Sequence, residues 1–223
     1  MAVDQSQTGL PFGAQTRNPF NYSKVEQISR DVSTRWLTLN ECTDQLNLID
    51  DESQDTYISS LELATRMAIE DFLGLSIFAT TYRVYYGPES LVSSPASFDL
   101  PEVSQNATPS NPSINITSVS YWNAAVPPVL TVIPNTEYMY DPSGNKVIVQ
   151  SLPTDINTVM TAPIVIVYST VASVLASYPV IKQAGLLLLT HLYNNRSATT
   201  NPIQHKIPYG VEMLLRPYKP LVM

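Results

Sequence analysis

Lys182-Gln-Ala-Gly-Leu-Leu-Leu-Leu-Thr-His-Leu-Tyr-Asn-Asn-Arg196 puts four consecutive leucines directly before a His, a Tyr and an Arg. Ser177 stands as a possible cap ahead of it, and Pro179 suits the first helical turn. Val180, Ile181, Ala184, Leu187, Leu188 and Leu192 fall on one stripe, while Leu186, Leu189 and Tyr193 add apolar surface on other sides. The stretch therefore reads as a helix, about 178–195, that needs cover nearly all round. Two long helices in one domain offer too little of it, so the remaining cover is expected from a second copy of the chain.

A helix of comparable clarity precedes it. Tyr57, Ile58, Leu61, Ala64, Ala68, Ile69 and Phe72 recur at three- and four-residue steps. Acids at Asp50, Asp51, Glu52 and Asp55 favour its first turn, and Gly74 stops it, giving a helix over about 51–73. Before it, Leu37-Thr-Leu-Asn-Glu41 reads as a short lead into a helix of its own, with Thr38 or Asn40 as a cap. A short terminal helix is expected at about 208–216, ended by Pro217.

Between the helices the pattern turns to β. Runs at 77–86, 114–122, 129–133, 137–140, 146–150 and 164–168 read as strands. Asp141-Pro-Ser-Gly144 makes a hairpin of 137–150, with Gly144 as the residue tolerant of positive φ. The fold class is α+β: a small helical bundle with an antiparallel β-rich insertion at about 77–168. The expected organisation is an extended arm at 1–34, one domain at 35–219 (helical 35–75 and 174–219, β-rich 76–170) and a tail at 220–223. Phe12, Phe20 and Tyr22 are spaced aromatic anchors in the arm, which reads equally as a loose terminus or as a segment ordered by a partner. Residues 88–113, with five prolines, read as loop.

Composition narrows the function. Net charge is −7, which argues against gripping nucleic acid, and only 14% of residues are charged. Residues 1–74 carry twelve acids and five bases, whereas 176–223 carry one acid and five bases. An acidic front and a basic tail attract each other, within a subunit or between neighbours. Cys42 is the lone cysteine, so no intrachain disulfide forms. Ile156 to Ile181 has no charge, but Pro163 and Pro179 interrupt it, so it reads as strand, link and helix start, not a membrane span.

The chemistry available is sparse. The two histidines, His191 and His205, lack an evident nucleophile or carboxylate partner, and no phosphate-loop, nucleophile-elbow or H-x-x-x-H motif is present. His191 and Arg196 have a helix-end reading, and Asp50-Asp51-Glu52 a helix-start reading, in place of catalysis or metal binding. No enzyme activity, metal or cofactor is expected. Tyr82, Tyr85, Tyr86, Tyr121 and Trp122 leave a carbohydrate-binding β module, stacking on sugars, as a reading from another class, against ordinary sheet packing.

Several motifs, taken in order, carry a resemblance: Leu37–Glu41, Asp51–Leu73 with Gly74-Leu75, Tyr82-Arg83-Val84, Ile114–Tyr121, Pro179–Ala184 into His191–Arg196, and Ile207–Val211 with Leu214–Tyr218. Over about residues 35–219 the chain resembles the head–tail connector (adaptor) proteins of tailed bacteriophages. Ser169–Ser173 stands where that family has a Gly-rich link, and the arm and the 88–113 insertion are longer than usual. The resemblance implies a structural virion protein forming a homo-oligomeric ring, typically a dodecamer, in the neck. The portal protein lies above, the next neck or tail protein below, and DNA passes through without specific binding. Assembly would take place in the host cytoplasm, with no membrane involved. A stopper or tail-completion protein is the alternative within that class. Leu186, Leu187, Leu188, Leu192, Tyr193 and Arg196 are the expected subunit contacts. Phe12, Phe20, Tyr22, Tyr218, Lys219 and Leu221 are the expected contacts with the portal or a neighbour.

Overall fold

The computed structural model describes residues 21–48, 52–91, 95–101, 114–195 and 209–219. They fall into two compact units. The first takes in 21–26, 83–101 and 118–167, and the second 27–82, 114–117 and 168–219.

The strands are β1 (Tyr22–Arg30), β2 (Thr80–Tyr86), β3 (Ala96–Asp99), β4 (Ile114–Trp122), β5 (Leu130–Ile133), β6 (Tyr138–Asp141), β7 (Lys146–Val149) and β8 (Ile164–Thr170). Five form a sheet in the order β1-β2-β8-β4-β5. The central place of β8 follows from its sequence: Ile-Val-Ile-Val-Tyr-Ser-Thr has too few polar positions for a solvated face, and five of its seven residues are buried. The other three strands form an antiparallel sheet, β3-β7-β6, in the first unit. Its register pairs Ala96 with Val149 and Asp141 with Lys146. Phe98 there meets the Tyr86 ring edge-on at 4.9 Å.

The 137–150 hairpin forms as expected, but its positive φ falls on Asn145 (49°), not Gly144. Asn145 is fixed there because its side-chain amide donates to Leu100 O at 2.8 Å. Asp141 Oδ1 accepts from the Ser143 amide at 2.9 Å and shapes the turn. Two strands escaped the sequence reading. β3 lies inside the expected 88–113 loop, and β1 occupies part of the expected 1–34 arm. Most β1 positions are exposed, so no apolar alternation marks it.

The second unit carries the helices: α1 (Leu39–Leu46), α2 (Asp55–Leu73), α3 (Pro179–Asn194) and α4 (Tyr209–Leu215). Thr38 caps α1 in a reciprocal box with Glu41. A 3-10 turn, Glu52–Gln54, precedes α2, and Gly74 ends it in the left-handed region at φ 70°. The α3 cap is Tyr178, not Ser177. Ser177 instead donates its hydroxyl to Val174 O at 2.8 Å, within the 3-10 turn Val174–Ser177. All four helices contribute to one apolar core, which holds Trp36, Ile58, Ile69, Leu73, Ile181, Leu188, Leu189, Val211 and Leu215 among others.

Candidate functional site

Two parts of the molecule bear on function: the α3 surface in the second unit and the sheet margin in the first. The α3 surface is organised by Trp36. The Trp36 ring nitrogen donates to Ala176 O at 2.9 Å, and the backbone amides of Trp36 and Leu37 donate to Glu62 Oε1 at 3.0 and 3.2 Å. The ring lies against the bare Cα of Gly185, where a Cβ would approach two of its carbons to 2.7 Å. Glycine at 185 thus lets α3 close on the chain that leads into α1.

That contact sets the phase of the leucine run. Leu188, 2% exposed, and Leu189 are in the chain's own core. Leu186, Leu192 and Tyr193 are half-buried against it, and Leu187 is 37% exposed. The chain itself therefore supplies most of the cover that the sequence reading assigned to a second copy. Tyr193 donates to Gln54 Oε1 at 2.8 Å and tilts against Tyr57 at 6.1 Å. Arg196 lies outside the described residues. The attraction between acidic front and basic tail is realised within the chain, where Lys182 Nζ donates to Glu41 Oε1 at 2.9 Å.

The expected stripe on α2 is also displaced. Ala64 is exposed, while Glu62, Arg66 and Glu70, one helical turn apart in succession, are buried with Ile58, Thr65, Ile69 and Leu73. A buried charge costs several kcal/mol unless it is hydrogen-bonded. Each of these has such partners. Arg66 donates to the carbonyls of Asp31 and Thr34 and lies 4.9 Å from the Phe78 ring centre. Glu70 Oε1 accepts from the amides of Ile77 and Phe78 at 2.7 and 3.3 Å, and Oε2 stands 3.5 Å from Arg30 Nε. All three charged side chains thus hold backbone of the segments flanking α2. They are structural staples, and the sequence hid them because hydropathy patterns count such residues as solvated.

At the chain's end, Tyr218 meets Tyr178 edge-on at 5.8 Å, and Lys219 Nζ sits 4.9 Å from the Phe72 ring centre. Tyr22 opens β1 as a half-buried residue, its hydroxyl pKa pushed up by burial and by the charge of Asp99. Phe12, Phe20 and Leu221 lie outside the described residues.

Of the residues considered for chemistry, His205, Asp50 and Asp51 lie outside the described residues, and Cys42 and His191 lie within them. Burial pushes the Cys42 thiol up to about 12, so it stays protonated and a poor nucleophile near neutral pH. His191, in the last turn of α3, faces Asn195, whose amide donates to the His191 carbonyl at 2.8 Å. Among the described residues no group of three or more His, Cys, Asp or Glu is placed to hold a metal ion. No described helix is long and apolar enough to cross a membrane. The tyrosines considered for sugar stacking are sheet residues: Tyr86 and Tyr121 are buried, and Tyr82 stacks on Tyr168 at 5.5 Å.

In the first unit the margin of the large sheet is apolar and open. β5 pairs with β4 in the register Val119–Ile133 to Trp122–Leu130. Leu130 is 45% exposed, Val132 62% and Val126 98%, with Val129 also exposed. Beside them lies a cleft of about 260 Å³, lined by Tyr121, Val132, Ile133, Glu137, Leu152 and Pro153 among others. The sequence marks this place only by lacking charge: residues 114–136 contain no Asp, Glu, Lys or Arg.

No protein-family model matches the chain, and no curated protein matches it. Solved structures do. A chain from the neck of an empty gene transfer agent particle, computed with C6 symmetry, is 19% identical, with a TM-score of 0.58 over 90% of this chain and 97% of that one. A chain from the virion of a native gene transfer agent particle is 17% identical, with a TM-score of 0.59 over the same shares. A chain from the neck of the native particle, computed with C12 symmetry, is 16% identical, with a TM-score of 0.53 over the same shares. At these identities the likeness is one of fold.

Proposed function

We propose that the protein is a structural component of a virus-like particle's neck, an adaptor that forms a ring between the portal and the next neck or tail protein. The observation that carries this reading is the fold shared with chains from particle necks over 90% of this chain and 97% of theirs. A match so nearly end to end is what one building block reused in similar assemblies produces. Of the motifs that carry the connector resemblance, Leu37–Glu41 falls in α1 and its lead and Pro179–Ala184 in α3, and His191–Arg196 begins in the last turn of α3, the parts organised around Trp36 and Gly185.

In this reading twelve copies surround a channel, matching the C12 symmetry of one of the similar assemblies. DNA moves through without being held, because a chain of net charge −7 offers few phosphate contacts. On α3, Leu187 is the exposed leucine available to a neighbour, flanked by the half-buried Leu186, Leu192 and Tyr193. Leu188 is withdrawn into the subunit. Tyr218 and Lys219, with Phe12, Phe20 and Leu221, are the proposed grips on the portal or a neighbour. The reading assigns no catalytic residue and no cofactor.

Electron microscopy and mass photometry of the purified chain, alone and mixed with the portal of the same particle, test it. A closed annulus is expected, of twelve copies if it follows the C12 symmetry of the similar neck. A chain that stays single in both conditions overturns the ring.

A further inference from the structure

β1 and β5 are the two margins of the five-stranded sheet. They differ in kind. β1 exposes Val25 and Ile28 but sets the charged Lys24 and Glu26 among them, the usual protection of a sheet edge. β5 has none, and it exposes Leu130 and Val132 next to the cleft at Tyr121 and Leu152. An open strand offers unpaired backbone donors and acceptors, and a bare apolar one invites another strand. The cleft, at about 260 Å³, is below the usual size of a small-molecule pocket and suits one or two side chains.

The occupant is indicated by chain length and charge. Residues 1–20 precede Asn21, which is fastened in the first unit: its side-chain amide donates to Ser97 O at 2.6 Å and its Oδ1 accepts from the Asp99 amide at 2.9 Å. These twenty residues contain one acid, Asp4, and one base, Arg17, and carry Leu10, Phe12 and Phe20. Copies of net charge −7 repel, so a neutral segment meeting an uncharged edge is where approach costs least. The arm enters β1, at the opposite margin from β5, with three strands between them. Twenty residues span up to about 66 Å when extended, against roughly 19 Å across the sheet.

We propose that residues 1–20 of one copy pair with the β5 edge (Leu130–Ile133) of the next copy and seat an apolar side chain in the cleft beside Val132. Each copy then gives an arm at one margin and receives one at the other. A head-to-tail contact of this kind makes a ring when its rotation closes and an open filament when it does not. The inference rests on the ring reading and names a joint for it.

Full-length variants separate the two. Leu10→Asp with Phe12→Asp disables the arm, and Leu130→Asp with Val132→Asp disables the edge. Each should keep the native circular dichroism and lose the ring. Mixed, they should yield a one-to-one heterodimer by native mass spectrometry and nothing larger, since only one working joint remains. A fluorescent peptide of residues 1–20 should bind the arm variant, and the edge variant at least tenfold more weakly. A peptide that binds neither overturns the inference, as do two variants that still assemble, in which case the adaptor reading survives. Edge-dependent peptide binding in a native chain that forms open oligomers but no ring upholds the joint and removes the ring, whereas in a native chain that stays single it shows each arm lying on its own subunit and overturns the contact between copies. A mixture that stays monomeric shows that arm and edge do not pair and overturns the inference.

Discussion

At the scale of single residues, Gly185 and Glu70 show the geometry at work. Alanine raises helix propensity by about 1 kcal/mol over glycine. At 185, however, the new Cβ would stand 2.7 Å from a Trp36 ring pinned by its bond to Ala176. Overpacking of that kind costs about 1–3 kcal/mol, so Gly185→Ala should be less stable than the native chain in urea titrations. Glu70 supplies a pH dependence. Burial raises its carboxyl pKa above 4.5, and the amides of Ile77 and Phe78 and the Arg30 charge offset only part of that. The folded chain therefore holds this proton more tightly than the unfolded one. Between the unfolded and folded values, stability falls as pH rises. Relative to Glu70→Gln, the native chain should gain stability as pH drops from neutral towards 4.5. A gap that moves the other way, in unfolding curves at stepped pH, would make ionised Glu70 a net stabiliser.

At the scale of elements, Gly74 ends α2 at φ 70°, and a Cβ added there would have nothing within 4 Å. Gly74→Ala meets no neighbour and bears only the left-handed backbone penalty, about 1–2 kcal/mol, seen as a lower thermal midpoint. Gly74 was legible in the sequence because its role is local. So was β4, whose alternation brackets Ile114 to Trp122. β1 was not, since an exposed edge strand leaves no apolar period. The Ser177 cap was misread because the same hydroxyl also closes the preceding turn. The leucine run shows the limit of pattern reading. Leu186 to Leu189 are chemically identical, and only the approach of Trp36 over Gly185 decides which face inward. The open β5 margin was visible only as an absence of charge, which by itself names no edge.

For the whole molecule, that phase separates stability from assembly. Leu188→Ala removes side-chain volume from the core and should cost about 2–5 kcal/mol in the isolated chain. Leu187→Asp, at a position 37% exposed, should leave the thermal midpoint nearly unchanged and reduce the proportion of rings in mass photometry. An unchanged ring fraction would remove α3 from the subunit contact. A last consequence follows from how the units are threaded. The first unit's final segment ends at Val167, whereas α2 is covered by α3 and α4, which come after Tyr168. A ribosome adding about 5–20 residues per second needs roughly 3–10 seconds to make the remaining stretch. Through that interval the β-rich unit is complete, while the inner face of α2, with Ile58 and Ile69, lacks the cover of α3. Crowded polysomes of this message would therefore be most prone to tangle late in translation, and slowing elongation beyond codon 168 should lower the soluble yield.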